Sequence, residues 1–249
     1  SVENGTDNSN AENTTNKAGI KKSPARAAVE TYTIVINYQF ADGSQAASPW
    51  TGTVAAGSSF KETIKSPTVV GYTPDKAEVV FDIDKAEANV TETVTYNAAE
   101  VKYTVKHFKQ NLNDDKYELA ETETKIGFTK NPVGGELAKS YKGFYSLLYD
   151  TETEIAADDS TTVEVYYDRY YYLMSFDMDG GYGVEPVYAK YGTPISVGTP
   201  KKAGYTFDGW QQIKDDGTTT DVDKLPSAMP AENIKYKAKW KAGDSAKVT

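Results

Sequence analysis

The chain has 249 residues, 39% of them hydrophobic and 12% aromatic, with no cysteine, one histidine and a formal charge of −9. These figures exclude disulfide staples and a His-rich zinc site, and an acidic chain repels nucleic-acid phosphates. No apolar run approaches the ~20 residues of a membrane-spanning helix, so no membrane insertion is expected within the chain.

Residues 1–30 are rich in Asn, Thr, Ser, Ala and Gly and nearly devoid of large apolar side chains. Such a segment buries too little to offset its ordering entropy and reads as a disordered leader or linker. A short helix over 25–30 is the competing expectation, and isolated helices of that length are marginal in water.

From Thr31 onward the chain says nearly the same thing three times. The first copy, 31–99, opens on Tyr32, Ile34, Ile36 and Tyr38, apolar residues at period two that mark one face of a strand. Ala41-Asp42-Gly43-Ser44 is a hairpin turn, and Trp50 to Val54 is the returning strand. Gly57 to Ile64 fits either a strand or a short helix. Val79-Val80-Phe81 and Val90 to Tyr96 supply the later strands.

The second copy, 100–169, opens on Tyr103, Val105 and His107, turns at Asn113-Asp114-Asp115-Lys116 and returns over Tyr117 to Lys125. Asn131-Pro132-Val133-Gly134-Gly135 breaks the pattern, and Ser160 to Tyr167 closes it. The third copy, 170–242, opens on Tyr172, Met174, Phe176 and Met178 and turns at Asp179-Gly180-Gly181. It returns over Val187 to Tyr191, stops at Pro200 and closes over Ile234 to Trp240. Residues 243–249 form a tail.

Gly-Tyr or Gly-Phe recurs within every copy, at Gly71-Tyr72, Gly143-Phe144 and Gly204-Tyr205. The spacing exceeds the 20–50 residues of solenoid repeats and suits a row of small domains. In each copy the first and last strands are the most apolar and alternate most cleanly. Lying side by side, they pair in parallel through a crossover. The expected fold is therefore mainly β: three tandem β-grasp-like modules, each a small mixed sheet with at most one short helix, in an elongated arrangement.

The third copy resembles the internalin-type B repeat, or Listeria–Bacteroides repeat. The matching residues are Phe176-Asp177, Gly180-Gly181, Tyr191-Gly192, Gly204-Tyr205, Phe207, Gly209-Trp210, Met229-Pro230 and Ala238-Lys239-Trp240, with Asp179 in place of the usual Asn. The second copy is similar to a module found beside it in Gram-positive adhesins, through Tyr103-Thr104-Val105, His107-Phe108, Gln110-Asn111-Leu112 and Tyr166-Tyr167-Asp168-Arg169. The first is similar to mucin-binding-protein repeats. These resemblances imply an exported, wall-attached or secreted bacterial protein without enzyme activity. They imply a stalk or spacer of a surface adhesin, with a host glycoprotein, mucin or cell-surface ligand as partner.

Candidate chemistry is sparse. A triad needs a nucleophile and a carboxylate beside His107, but this residue lies inside a strand pattern and reads as structural. The carboxylate pairs Asp114-Asp115, Glu152 with Glu154, Asp158-Asp159 and Asp215-Asp216 lie in turns or at strand edges, without the cleft that glycoside hydrolysis requires. Asp177-Met178-Asp179-Gly180 resembles the start of a calcium loop, yet its twelfth position is Tyr188 rather than Glu. Trp210 and Trp240 read as core. Trp50 follows Pro49, has no counterpart in the other copies and is the one binding candidate. No catalytic residue, metal or cofactor is expected, and the chain reads as a monomer. Two alternatives stay open: a glycan- or mucin-binding module in its own right, or an accessory region of a secreted enzyme.

Overall fold

A computed structural model describes residues 28–243. The leader beyond Ala28 and the tail beyond Gly243 lie outside these residues. Ala28–Glu30 carry no regular structure, so the described part of the competing helix is absent. No helix occurs among the described residues, and fifteen strands make up the fold.

Among the described residues, one compact unit runs from Ala28 to Val69 and includes Thr73–Asn97. Its strands are β1 (Thr31–Phe40), β2 (Gln45–Ala55), β3 (Phe60–Lys65), β5 (Glu78–Ile83) and β6 (Val90–Ala98), with β4 (Tyr72–Pro74) at its boundary. Four form a sheet in the order β2-β1-β6-β4, and β3 pairs with β5 as a separate ribbon. The hairpin between β1 and β2 turns where expected: Gly43 adopts φ +87°, and Asp42 accepts the Ser44 amide at 2.9 Å. Ile34, Ile36, Tyr38, Val54, Phe81, Val94 and Tyr96 are buried. The Tyr96 hydroxyl donates to the Pro67 carbonyl at 2.6 Å, which satisfies its polar end. The ambiguous Gly57–Ile64 stretch resolves as a turn at Gly57 followed by strand from Phe60, where Phe60 and Ile64 share one face of the ribbon.

The second unit comprises Val70–Tyr72 and the described chain from Ala98 to Gly243. Its first sheet contains β7 (Glu100–Gln110), β8 (Tyr117–Phe128), β9 (Phe144–Ser146) and β10 (Thr162–Arg169), in the order β8-β7-β10-β9. Its other sheet contains β11 (Tyr171–Asp177), β12 (Val187–Lys190), β13 (Tyr205–Ile213), β14 (Thr219–Val222) and β15 (Ile234–Ala242), in the order β12-β11-β15-β13-β14.

All three large sheets share one frame. The opening strand forms an antiparallel hairpin with its return strand and pairs in parallel with the closing strand: β1 with β6, β7 with β10, and β11 with β15. The parallel crossover expected from the apolar terminal strands is therefore present in each. Since no helix covers the crossover, its strands and turns seal the core instead.

A second recurring device fixes the parallel register. A short Asx side chain just before each closing strand accepts an amide from the opening strand. Asn89 accepts from Thr33 at 2.8 Å, Asp159 from Lys102 at 2.7 Å and Asn233 from Leu173 at 2.8 Å. Each of these bonds ties the start of the closing strand to its neighbour before their regular pairing begins.

Candidate functional site

The densest polar cluster surrounds His107. Alternation on β7 points Val101, Tyr103, Val105 and His107 inward, and His107 is fully buried. Its Nε2 lies 2.7 Å from Glu123 Oε2 and its Nδ1 lies 2.8 Å from the Tyr167 hydroxyl. A carboxylate only accepts, so Nε2–H donates to Glu123, and in the neutral ring Nδ1 accepts from Tyr167. The Tyr167 oxygen also accepts the Lys139 amide at 2.7 Å. Lys139 Nζ bridges Glu121 at 2.7 Å and Glu123 at 3.0 Å, and Tyr141 donates to Glu121 at 2.5 Å.

Electrostatics follow this geometry. The Lys139 ammonium and the Tyr141 hydroxyl hold Glu121 below the usual carboxylate range. At Glu123 burial works against ionisation, but hydrogen bonds from His107 and Lys139 outweigh it and lower this group too. Lys139 is raised by the same two carboxylates. Burial, then the bond to Glu121, pushes Tyr141 up.

Tyr167, His107 and Glu123 thus line up in the order of a nucleophile, base and orienting acid, but the arrangement cannot act as one. Both imidazole nitrogens and the phenol oxygen are occupied, and His107 has no accessible surface. No substrate atom can reach them. The cluster is a satisfied polar core, in keeping with the structural role expected of His107.

The motifs of this sheet act as paired halves. Arg169 Nε donates to the Gln110 carbonyl at 3.0 Å, while Gln110 Oε1 accepts the Arg169 amide at 2.9 Å. Tyr117 donates to Asp168 at 2.5 Å, and that carboxylate pushes the Tyr117 phenol up to about 12. Tyr166 stacks on Phe108 with ring centroids 5.0 Å apart. The Gln-Asn-Leu run and the closing Tyr-Tyr-Asp-Arg run therefore hold two adjacent parallel strands together.

In the third sheet, the turn after β11 explains the Gly-Gly pair. Asp177 accepts the Asp179 amide at 2.9 Å, Asp179 has φ +47° and Gly180 has φ +86°. A Cβ on Gly181 would stand 2.4 Å from the Trp240 ring, whose Nε1 donates to the Met178 carbonyl at 3.0 Å. Met178 lies in this turn rather than in the strand, which ends at Asp177, and still packs on the core. Asp177 and Asp179 thus serve a turn, and among the described residues no group of three His, Cys, Asp or Glu side chains is placed to hold a metal ion. Three of the other acidic pairs behave similarly. Asp114 accepts the Lys116 amide, Asp158 that of Ser160 and Asp216 that of Thr218.

Trp210 is buried, and Trp240 is half-buried against the same core. Trp50 is half-buried on the edge strand β2. Its ring lies over Gly52, where a Cβ would stand 2.6 Å away, and stacks near Phe81 with centroids 6.2 Å apart. Phe60 lies at the same distance. Sequence reasoning missed this cluster because its members come from three strands. It also missed the outer face of the third sheet. There Tyr171 (51% exposed) and Tyr188 (70% exposed) stack 5.2 Å apart beside exposed Leu173. Nearby is an open cavity of about 820 Å³ lined by Leu173, Gln212, Lys214, Asp215, Glu232 and Asn233 among others.

Comparison with known proteins agrees with the motifs. Residues 172–239 match the Listeria-Bacteroides repeat domain. Two proteins of Evansella cellulosilytica are similar across much of the chain. One, named as a Gly-rich membrane protein, is 28% identical over 175 residues, 68% of this chain and 18% of its own length. The other, named as a membrane protein, is 29% identical over 168 residues, 64% of this chain and 24% of its own length. The chain thus spans less than a quarter of either relative. Among solved structures, a MucBP domain of a Lactobacillus acidophilus protein is 26% identical, with a TM-score of 0.22, and aligns over 29% of this chain and 94% of that domain. The Bacillus anthracis TIE protein aligns over 85% of this chain and 51% of its own, at 11% identity and a TM-score of 0.34.

Proposed function

We propose that the chain is a non-catalytic repeat segment of a bacterial surface protein, extracellular and attached to the wall or membrane by other parts of that protein. Its modules, 31–99, 100–169 and 170–242, act as a load-bearing spacer. The observation that carries this reading is the parallel pairing of opening and closing strands in each of the three large sheets. Force applied through the two ends of a module loads that ladder in shear, so its hydrogen bonds must yield nearly together. The Listeria-Bacteroides repeat over 172–239 and the membrane-protein names of the two relatives support a place at the cell surface. Single-molecule pulling on the whole chain tests the proposal. Three unfolding events of similar contour length are expected, and a featureless extension at low force would sink it.

A second reading, attachment to host mucin or another glycan, rests on aromatic surface. Sugars stack on flat rings that one face of a protein leaves open. The Tyr171–Tyr188 pair provides such a face, and Trp50 offers the exposed part of its ring at a sheet edge. Binding of the whole chain on a glycan array, weakened by Trp50→Ala or Tyr188→Ala, is the expected result. No binding across mucins and host glycans would leave the spacer role alone.

A further inference from the structure

The outer face of the 170–242 sheet joins an aromatic platform to a polar cleft. On β11 the residues that turn away from the core are Tyr171, Leu173 and Ser175, since Tyr172, Met174 and Phe176 pack inward. Leu173 is the register partner of Tyr188 on β12. Tyr188 stacks on Tyr171 with ring centroids 5.2 Å and planes 27° apart. Each ring steadies the other and leaves the far face of its neighbour open, and Tyr188 is 70% exposed.

The next row along β11 becomes the floor of the cleft. Ser175 pairs with Lys235 of β15, and Lys235 pairs with Ile213 of β13, so the three sit abreast on adjacent strands. Lys214, Asp215 and Gly217 of the β13–β14 turn add to its walls, as do Glu232 and Asn233 of the segment before β15. Leu173 lines the cleft as well, which makes platform and cleft continuous. The volume of about 820 Å³ lies within the ~300–1,000 Å³ of small-molecule sites.

The lining selects the ligand. Lys214 and Lys235 bring as much positive charge as Asp215 and Glu232 bring negative, so the cleft favours neither an anion nor a cation. Asn233 Oδ1 accepts the Leu173 amide at 2.8 Å, which leaves its NH₂ group to donate elsewhere. Donors and acceptors are thus mixed around an uncharged balance. Both β11 and β15 are paired on each side, so a peptide strand cannot add to this face through main-chain bonds. A ligand here is read by side chains. A pyranose ring has a flat C–H face for the platform and a rim of hydroxyls that both donate and accept for the cleft.

We propose that this face binds a neutral oligosaccharide. One sugar ring lies on the Tyr171–Tyr188 platform, and the adjoining units place their hydroxyls against Asp215, Glu232, Asn233 and Lys235 in the cleft. The site rests on the glycan-attachment reading and gives it a ligand class and a location other than Trp50, whose ring packs with Phe60 and Phe81.

The test is titration of the whole chain with linear hexaoses of glucose, galactose and N-acetylglucosamine, followed through amide chemical shifts, with a sulfated hexasaccharide as the anionic comparison. At least one neutral hexaose should bind, shift the amides of Leu173, Ser175, Ile213 and Lys235, and keep its affinity as salt is raised. Tyr188→Ala should weaken binding about tenfold and Asp215→Ala about threefold, for the loss of a stacking surface and of a hydrogen bond. Both residues are exposed, so the unfolding midpoint should stay where it is in each variant. Trp50→Ala should leave the affinity unchanged. Binding that is lost in Trp50→Ala and intact in Tyr188→Ala would keep the glycan reading and overturn this site. Preference for the sulfated sugar would overturn the neutral ligand class. Failure of every neutral hexaose to bind also overturns the site, and the glycan array then decides separately whether the glycan reading survives.

Discussion

The two sheets of the second unit share a frame and differ in what fills them. The 100–169 sheet holds a polar cluster in which buried His107 and Tyr167 and half-buried Glu123, Lys139, Glu121 and Tyr141 satisfy one another. The 170–242 sheet fills the equivalent space with Met174, Trp210, Met229 and Tyr236, with Phe176 and Phe207 packed against Trp210 at about 5 Å. Parallel pairing, the Asx tether and the Gly-aromatic pair are common to both. The frame therefore depends on backbone geometry and a few short side chains, while each core is an independent solution to the volume enclosed.

Substitutions inside each core test that independence. Trp210→Ala should have the largest effect, costing about 3–5 kcal/mol as expected for truncating a buried aromatic. Hydrogen exchange should show the loss in β11–β15 with β7–β10 unaffected. Loss of protection in both sheets would mean that the cores are coupled. His107→Leu should cost about 2–3 kcal/mol, because it leaves the Tyr167 hydroxyl proton and one Glu123 oxygen without a partner in a partly dry site. That loss should fall on the 100–169 sheet alone, and denaturant unfolding of the variant measures it.

Acid sharpens the comparison. Glu121 and Glu123 have folded pKa values below their unfolded ones. Their contribution is therefore complete above the ordinary glutamate range and is lost as pH falls through the lowered folded values. The 100–169 sheet should weaken across that window, and Lys139→Met should shrink the acid-dependent part. In the 170–242 sheet the lowered carboxylates Asp216 and Asp221 lie on the exposed β13–β14 hairpin. Its core should respond less in the same titration. The smallest effect is expected from Asn233→Ala and Asn89→Ala. Each removes one tether bond and should cost about 1 kcal/mol, with faster exchange of the Leu173 or Thr33 amide as the specific sign.

Pulling offers another contrast. The parallel ladder covers Ile34–Phe40 in the first sheet, Thr104–Lys109 in the second and Met174–Asp177 in the third. If shear of this ladder sets the strength, the 170–242 sheet should yield first and the 31–99 sheet last.

Much of the frame was legible in the sequence, because alternation in the opening and closing strands marks which face is buried at each position. Gly180-Gly181 and the three Gly-aromatic pairs also showed where the chain bends. The rest was hidden for specific reasons. Phe60 and Ile64 are four apart, a spacing that suits one face of a helix and one face of a strand equally. Glu121 and Glu123 alternate with threonines along one strand; only the segment bearing Lys139 and Tyr141 draws them into the cluster around His107. Asn89 falls just before a strand and Asp159 in an acidic turn, so neither advertised its bond to the opening strand. Trp50 stood out by its context, but its neighbours Phe60 and Phe81 come from strands that no local pattern ties to it.

The wiring where each closing strand ends has a consequence for how such chains change over generations. Ala99, Tyr170 and Gly243 directly follow the closing strands β6, β10 and β15 and have nothing in common as side chains, yet each donates its amide at 2.9 Å to the carbonyl of the glycine in that copy's Gly-aromatic pair, Gly71, Gly143 and Gly204. A junction that reads mostly peptide groups tolerates almost any residue at the joint. Duplication or exchange of a whole copy, cut at that position, would need no matching substitution at the joint itself beyond a glycine the copy already carries. Copies could then differ in their cores, as the histidine-centred and tryptophan-centred sheets do, without losing the ability to be joined.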